Sequence, residues 1–268
     1  METVIDLTGT ERRLGCNIPQ NTNMVCASYA SANPLHTQDE IRKIITDPNR
    51  TSRRSLFGPE WIRRGDQKKH GSCNGWATAS SYTKVRWLRG FRDDFYGSGA
   101  YVYSKINRDQ DNGSALNDDI GELVKYGVCS DTIVNADQIF AAQMDVAAAD
   151  ADAAKHKGLI AYHCSTQQEL LSGLADGFIA VVVVQVDTNV FCNYHGSGLV
   201  PSFRGIGNHA VHVDDLVWDG KQFLFDLVNN WGVHWGDQGR GMATWSSFQQ
   251  TFGVHPFYLI CSTNETGD

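Results

Sequence analysis

The chain has 268 residues, a net charge of −7 and 20% charged side chains, the profile of an ordinary folded protein large enough for a full hydrophobic core. No basic stripe argues for nucleic acid, and Lys68, Lys69 and the Arg42 to Arg64 region read as local solvated charge. The longest apolar stretch, Phe178 to Val184, is too short to cross a bilayer. The first residues, Met1-Glu2-Thr3-Val4-Ile5-Asp6, lack the basic and apolar regions of a secretory signal. The expectation is a protein with no membrane or nucleic-acid partner, cytoplasmic or virion-associated rather than secreted.

In chain order, residues 1 to 60 read as a polar, irregular extension with one short helix at Thr37 to Ile45, where Thr37 caps and Asp39-Glu40 favour the positive end. A second helix starts at Cys73 and runs through Trp76, Ala77, Ala79, Ser80 and Val85, with one apolar side toward a core. Ile120, Leu123, Val124 and Val128 have helical spacing, with Gly127 as C-cap. Val146 to Ala154 and Gln167 to Leu174 read as further helices. From Phe178 the character changes: Phe178 to Val186, Val211 to Trp218, Phe223 to Val228 and Phe257 to Ile260 read as strands bounded by turns such as Asp219-Gly220. The pattern predicts an α+β fold, mainly helical over about 61–175 and mainly β over about 176–268.

Three separated segments carry chemistry: Asp66 to Cys73, Asn208-His209-Ala210-Val211, and Asn229-Asn230-Trp231-Gly232 followed by Trp235-Gly236. A thiol nucleophile, an imidazole base, an amide to orient that base and a second amide to bind an oxyanion are the parts of a cysteine hydrolase. Singly, each part has a bland reading: a buried cysteine, a strand histidine, a turn asparagine. Their joint occurrence, in order and at spacing, favours the catalytic one.

The pattern resembles the papain family of cysteine proteases, more closely its bacterial and phage-like branch. There, His and Asn lie roughly 130–150 residues beyond the cysteine; His209 falls inside that span and Asn229 slightly past it. The resemblance implies two lobes with the cleft between them, the second antiparallel and barrel-like. It makes Cys73 the nucleophile, His209 the acid and base, Asn229 its orienting partner and Gln67 an oxyanion donor. Cys73 at a helix N-terminus facing an imidazolium is expected to have its pKa lowered to about 3–4, as in papain. Trp231 would shield the His209–Asn229 bond. Asn112, Gly113 and Ser114 would pair strand-like with an extended peptide. Ser114, with Trp245 to Phe252, would shape the pocket for the second residue before the cut bond, and Asn208 would line the cleft. The function implied is a cysteine endopeptidase needing no cofactor, acting on a protein or peptide in extended conformation. An amide or isopeptide hydrolase, a transferase and an inactive peptide-binding protein share the same parts.

Two departures stand out. The family's Cys-Trp-Ala becomes Cys73-Asn74-Gly75-Trp76; an alignment on Trp76 would put Gly75 at the nucleophile position, but only Cys73 keeps Gln67 and Gly71-Ser72 in register. The disulfide framework of the secreted enzymes is also missing around Cys73, so the seven cysteines are expected to be reduced. No metal site is expected from His195, His212 or His234. Residues 1–60 are expected to be an integral extension; as a prosegment they would offer Arg50-Thr51-Ser52-Arg53-Arg54 for processing.

Overall fold

The computed structural model describes residues 2–19, 26–187, 190–200, 207–249 and 251–263. The chain opens with a hairpin, β1 (Glu2–Ile5) and β2 (Glu11–Leu14), then β3 (Cys16–Asn17), α1 (Tyr29–Ala32), α2 (Gln38–Ile45), α3 (Arg53–Leu56) and α4 (Pro59–Arg64). The helical lobe follows: α5 (Cys73–Leu88), α6 (Gly99–Ser104), β4 (Ser114–Ala115), α7 (Leu116–Tyr126) and α8 (Val146–Ala153). The second lobe holds β5 (Leu159–Cys164), α9 (Gln167–Ala175), β6 (Ile179–Val186), β7 (Gly207–Trp218), β8 (Phe223–Val228), β9 (Arg240–Thr244), α10 (Trp245–Phe248) and β10 (Phe257–Thr263).

The second lobe is a six-stranded antiparallel sheet in the order β5-β10-β6-β7-β8-β9. Along β6 every position from Ile179 to Val184 is buried, as in a strand covered on both faces, and α5 and α9 both pack against it. Helix α5 joins the lobes, being buried from Cys73 through Arg86. Gly75 allows this: a Cβ there would lie 2.3 Å from the Gly99 carbonyl oxygen, so α6 could not approach. The departure at Gly75 is thus a packing requirement between α5 and α6.

Local signals place several elements where the sequence predicts them. Thr37 caps α2 in a full capping box with Glu40, α5 begins at Cys73, and Gly127 ends α7 at φ +81°. Other expectations need correction. Leu159–Cys164 is an edge strand of the sheet rather than part of the helical lobe, and β9 is a further strand without a sequence signal. Val124 faces solvent rather than the core. Trp245, Phe248 and Phe252 pack with Phe225 and Phe257 inside the second lobe. All seven cysteines are free thiols.

Residues 28–64 wrap the body. Tyr29 donates to Asp176 (2.5 Å) and Ser28 to Glu169 (2.6 Å). Arg50 pairs with Asp215, whose second oxygen accepts the Arg53 backbone N–H at 2.9 Å. Arg54 bridges Asp226 (2.9 Å) and Asp237 (2.6 Å). Beneath lies a buried charge cluster in which Asp214 accepts from Lys84 and Arg240, each at 2.7 Å. Burial draws the Lys84 pKa down to about 8. Burial would raise Asp214, but Lys84 and Arg240 hold it well below the carboxylate range.

Candidate active site

The three chemical segments converge where the N-terminus of α5 meets β7 and the loop after β8. His209, fully buried on β7, is 2.7 Å through Nε2 from Asn229 Oδ1. Asn229 Oδ1 also accepts the Asn230 backbone N–H at 2.8 Å, so that oxygen is an acceptor and Nε2 carries the proton. Nδ1 is therefore the free base nitrogen; it is buried and has no hydrogen-bond partner. The imidazole lies on Trp231, ring centroids 4.9 Å apart, with the Phe191 edge on another side at 6.1 Å. Asn208, half-buried, pairs with Gln185 one position earlier on β7.

Cys73 is fully buried at the first turn of α5. Its thiol pKa is pushed up to about 11 by burial, against the pull of the Ala210, Gly15 and Asn74 backbone N–H groups. Burial likewise lowers His209 to about 4. Both shifts favour the neutral thiol and imidazole over the thiolate and imidazolium expected from the resemblance. The reason is what covers them.

Residues 11–17 lie over the N-terminus of α5 and beside β4. The Gly15 N–H faces the Cys73 sulfur, and the Gly15 carbonyl accepts from the Ser114 N–H at 2.8 Å. Strand β3 then runs parallel to β4, Cys16 opposite Ser114. Gln67, fully buried, donates through Nε2 to the carbonyls of His70 (2.7 Å) and Arg13 (3.3 Å). Asn17 donates to the Asn112 carbonyl at 3.0 Å. Every residue named for peptide pairing thus touches the chain's own N-terminal segment: Asn112, Gly113 and Ser114. Gly113, at φ +75°, has Gly15 so close that a Cβ would come within 2.2 Å of the Gly15 oxygen.

The segment is anchored by a residue the sequence did not single out. Arg12, buried, reaches Asp6 (2.8 Å), Asp66 (2.5 Å), and the carbonyls of Lys68 and Trp231 (3.0 Å each). Asn230 was also missed; its Nδ2 donates to the carbonyls of Ala210 (3.0 Å) and Cys73 (3.2 Å), tying the first turn of α5 to β7. Its place in the Asn-Asn pair was the available signal. Arg12 had none, because its partners lie far away in sequence. Among the described residues no group of three or more His, Cys, Asp or Glu could hold a metal ion.

No family model matches the chain, and no curated protein does. Solved structures do. Xylellain, a cysteine protease from Xylella fastidiosa, superposes with a TM-score of 0.67 over 94% of this chain and 98% of its own, at 20% identity. ProCathepsin B S9 from Trypanosoma congolense gives 0.65 over 94% and 86%, at 17% identity. Digestive procathepsin L 3 of Tenebrio molitor larval midgut gives 0.64 over 92% and 76%, at 16% identity. The fold is that of the papain-like cysteine proteases.

Proposed function

We propose that the chain is a papain-type cysteine endopeptidase and that residues 2–17 hold it latent by lying in its cleft. The observation that carries the peptidase reading is the His209–Asn229 pair on Trp231, with His209 on the strand that Asn230 ties, through the Ala210 and Cys73 carbonyls, to the N-terminus of the buried helix that Cys73 begins. Once the cleft opens, water and the helix dipole favour the thiolate, and His209 takes the proton. The thiolate attacks a peptide carbonyl, and His209 returns its proton to the departing amine. His209 then activates water to hydrolyse the thioester. Asn229 keeps the proton-bearing Nε2 turned away, so Nδ1 serves the reaction. Gln67 Nε2 and the Cys73 N–H would hold the developing oxyanion, a contribution of about 2.7–4 kcal/mol per donor.

The latency reading rests on the carbonyls of Arg13 and Gly15 occupying the Gln67 amide and the Ser114 N–H, the groups a substrate would use. Two of the similar structures are described as proenzymes. Unlike residues 2–17, residues 28–64 belong to the catalytic body under this reading. Arg50, Arg53 and Arg54 are engaged with Asp215, Asp226 and Asp237, so they are poor processing sites as folded. An inactive peptide-binding protein is the second reading, favoured by the sealed cleft and the unpaired Nδ1 of His209.

Intact-mass measurement after exposure to a thiol-directed epoxysuccinyl inhibitor separates the readings. The comparison is between the full chain, its Arg12→Ala variant, and Arg12→Ala with Cys73→Ala. One adduct that forms faster in Arg12→Ala and is lost with Cys73 is the expected result. A folded Arg12→Ala protein that never reacts would favour the binding reading.

A further inference from the structure

Under the peptide-pairing edge lies a buried knot of oxygen atoms with nothing to accept from. Asn74 spends its Nδ2 on the Ser114 carbonyl (2.7 Å) and hydroxyl (3.2 Å), which fixes the amide so that Oδ1 points away. That Oδ1 is buried and without a partner. Asp119 on α7 is fully buried; the Ser114 hydroxyl is near enough to pull its pKa down, yet neither carboxyl oxygen makes a well-formed hydrogen bond. A native interior pairs almost all its buried polar atoms, and exceptions mark strain or a missing ligand. Asn74 Oδ1 is an acceptor, and both Asp119 oxygens become acceptors when the acid ionises.

The same place receives a side chain of the N-terminal segment. Cys16, opposite Ser114 in the ladder, is buried with its sulfur 4.0 Å from His255 Nδ1. It feels both the Asn74 amide and the Asp119 carboxyl. Burial holds the Asp119 pKa well above the carboxylate range despite the Ser114 hydroxyl, which favours the neutral acid, with one O–H of its own, while no cation is near it. A thiol is a weak donor and cannot satisfy these oxygens.

We infer that, once residues 11–17 leave, this pocket takes a lysine or arginine side chain, with Asp119 as its ion partner and Asn74 Oδ1 as a second acceptor. The position is that of the peptide residue seated against Ser114. A guanidinium or ammonium brings only donors and a positive charge, and a desolvated ion pair of this kind discriminates strongly against apolar side chains at the same position. The inference rests on the peptidase reading for turnover but not for binding.

The test uses the full chain carrying Arg12→Ala, with two blocked dipeptide substrates that differ only in arginine or leucine at the residue before the cleaved one. The expected arginine-to-leucine ratio in kcat/KM is about tenfold or more, the size of one good ion pair. Asp119→Asn should bring that ratio to about one, and Asp119→Glu should restore part of it. A parent ratio at or below one, or a ratio unchanged in Asp119→Asn, overturns the inference; if Asp119→Asn does not fold, the parent ratio alone decides. Calorimetric titration of the matching peptides onto Arg12→Ala with Cys73→Ala repeats the comparison without chemistry. Preference for arginine there with no turnover in the Cys73 protein would uphold the pocket and sink the peptidase reading. Turnover without preference would do the reverse.

Discussion

Residues 2–17 and residues 28–64 are both N-terminal to Cys73, yet they are held in different ways. The first stretch lies over the start of α5 and β4 on a few backbone hydrogen bonds, the Arg12 cluster and the side chains of Val4 and Leu14. The second is threaded into the body by partly exposed arginines paired with the buried Asp215 and Asp226, by Tyr29, Ile41 and Phe57 in the core, and by a capped helix. The difference teaches where an opening can occur. Val4, Leu14 and Cys16 do join the body's hydrophobic core, so the two stretches differ in how many groups hold them, and opening is expected first at the one held by fewer.

The comparison can be broken hardest at Asp214. Removing its carboxylate with Asp214→Ala strands the buried Lys84 and leaves Arg240 only Asp226 as a carboxylate partner, and a broken buried pair costs about 3–5 kcal/mol. Urea denaturation should show that loss for the whole body. Next is the cleft itself. Gly15→Ala puts a Cβ 1.9 Å from the Gly71 carbonyl oxygen, so the segment must lift. Inhibitor labelling of Cys73 should then quicken about tenfold or more, since 1.4 kcal/mol of lost closure already gives that factor. The body's urea midpoint should fall far less than in Asp214→Ala; an equal drop would mean that residues 2–17 and the body unfold as one unit.

Acid sharpens the comparison further. Burial depresses the pKa of His209 to about 4, of His255 to about 4, and of His212 well below its ordinary value. The unfolded chain therefore binds more protons than the folded one below about 6.5, the ordinary histidine value. Stability is full above that pH and is lost as pH falls toward the folded values. Asp119, with its raised pKa, works in the opposite sense, so the net should still be a falling urea midpoint between about pH 7 and pH 5. A flat profile would show that the buried histidines do not return to ordinary values on unfolding. The smallest expected effect is Thr37→Ala, which removes the α2 cap for about 1 kcal/mol, read as a small shift in melting temperature. It should leave Cys73 labelling unchanged, because α2 packs against α9 and β7 on the body.

Much of the candidate site was legible because its parts are chemically rare in combination. A cysteine at a helix start, a histidine on a strand and an Asn-Asn-Trp-Gly turn in that order left few other readings. Asp119 and Asn74 were not legible, since an aspartate in a first helical turn looks like a dipole partner in solvent, and only burial turns it into an orphan. Strand β9 was missed because Arg240-Gly241-Met242-Ala243-Thr244 has no apolar alternation; β8 pairs with it along its length and supplies the partner.

By itself the sequence determined the local events: where α2 and α5 begin, where α7 stops, and which side chains have the chemistry of acyl transfer. Capping, glycine conformations and residue type act over a few positions and can be read along the chain. Only the tertiary structure decided that Arg12 meets Asp66 and Trp231, that Gly15 lies on Cys73, and that burial beneath it favours the neutral thiol and imidazole. Ionisation follows from solvent exposure and nearby charge, and both are set by residues far apart in the chain.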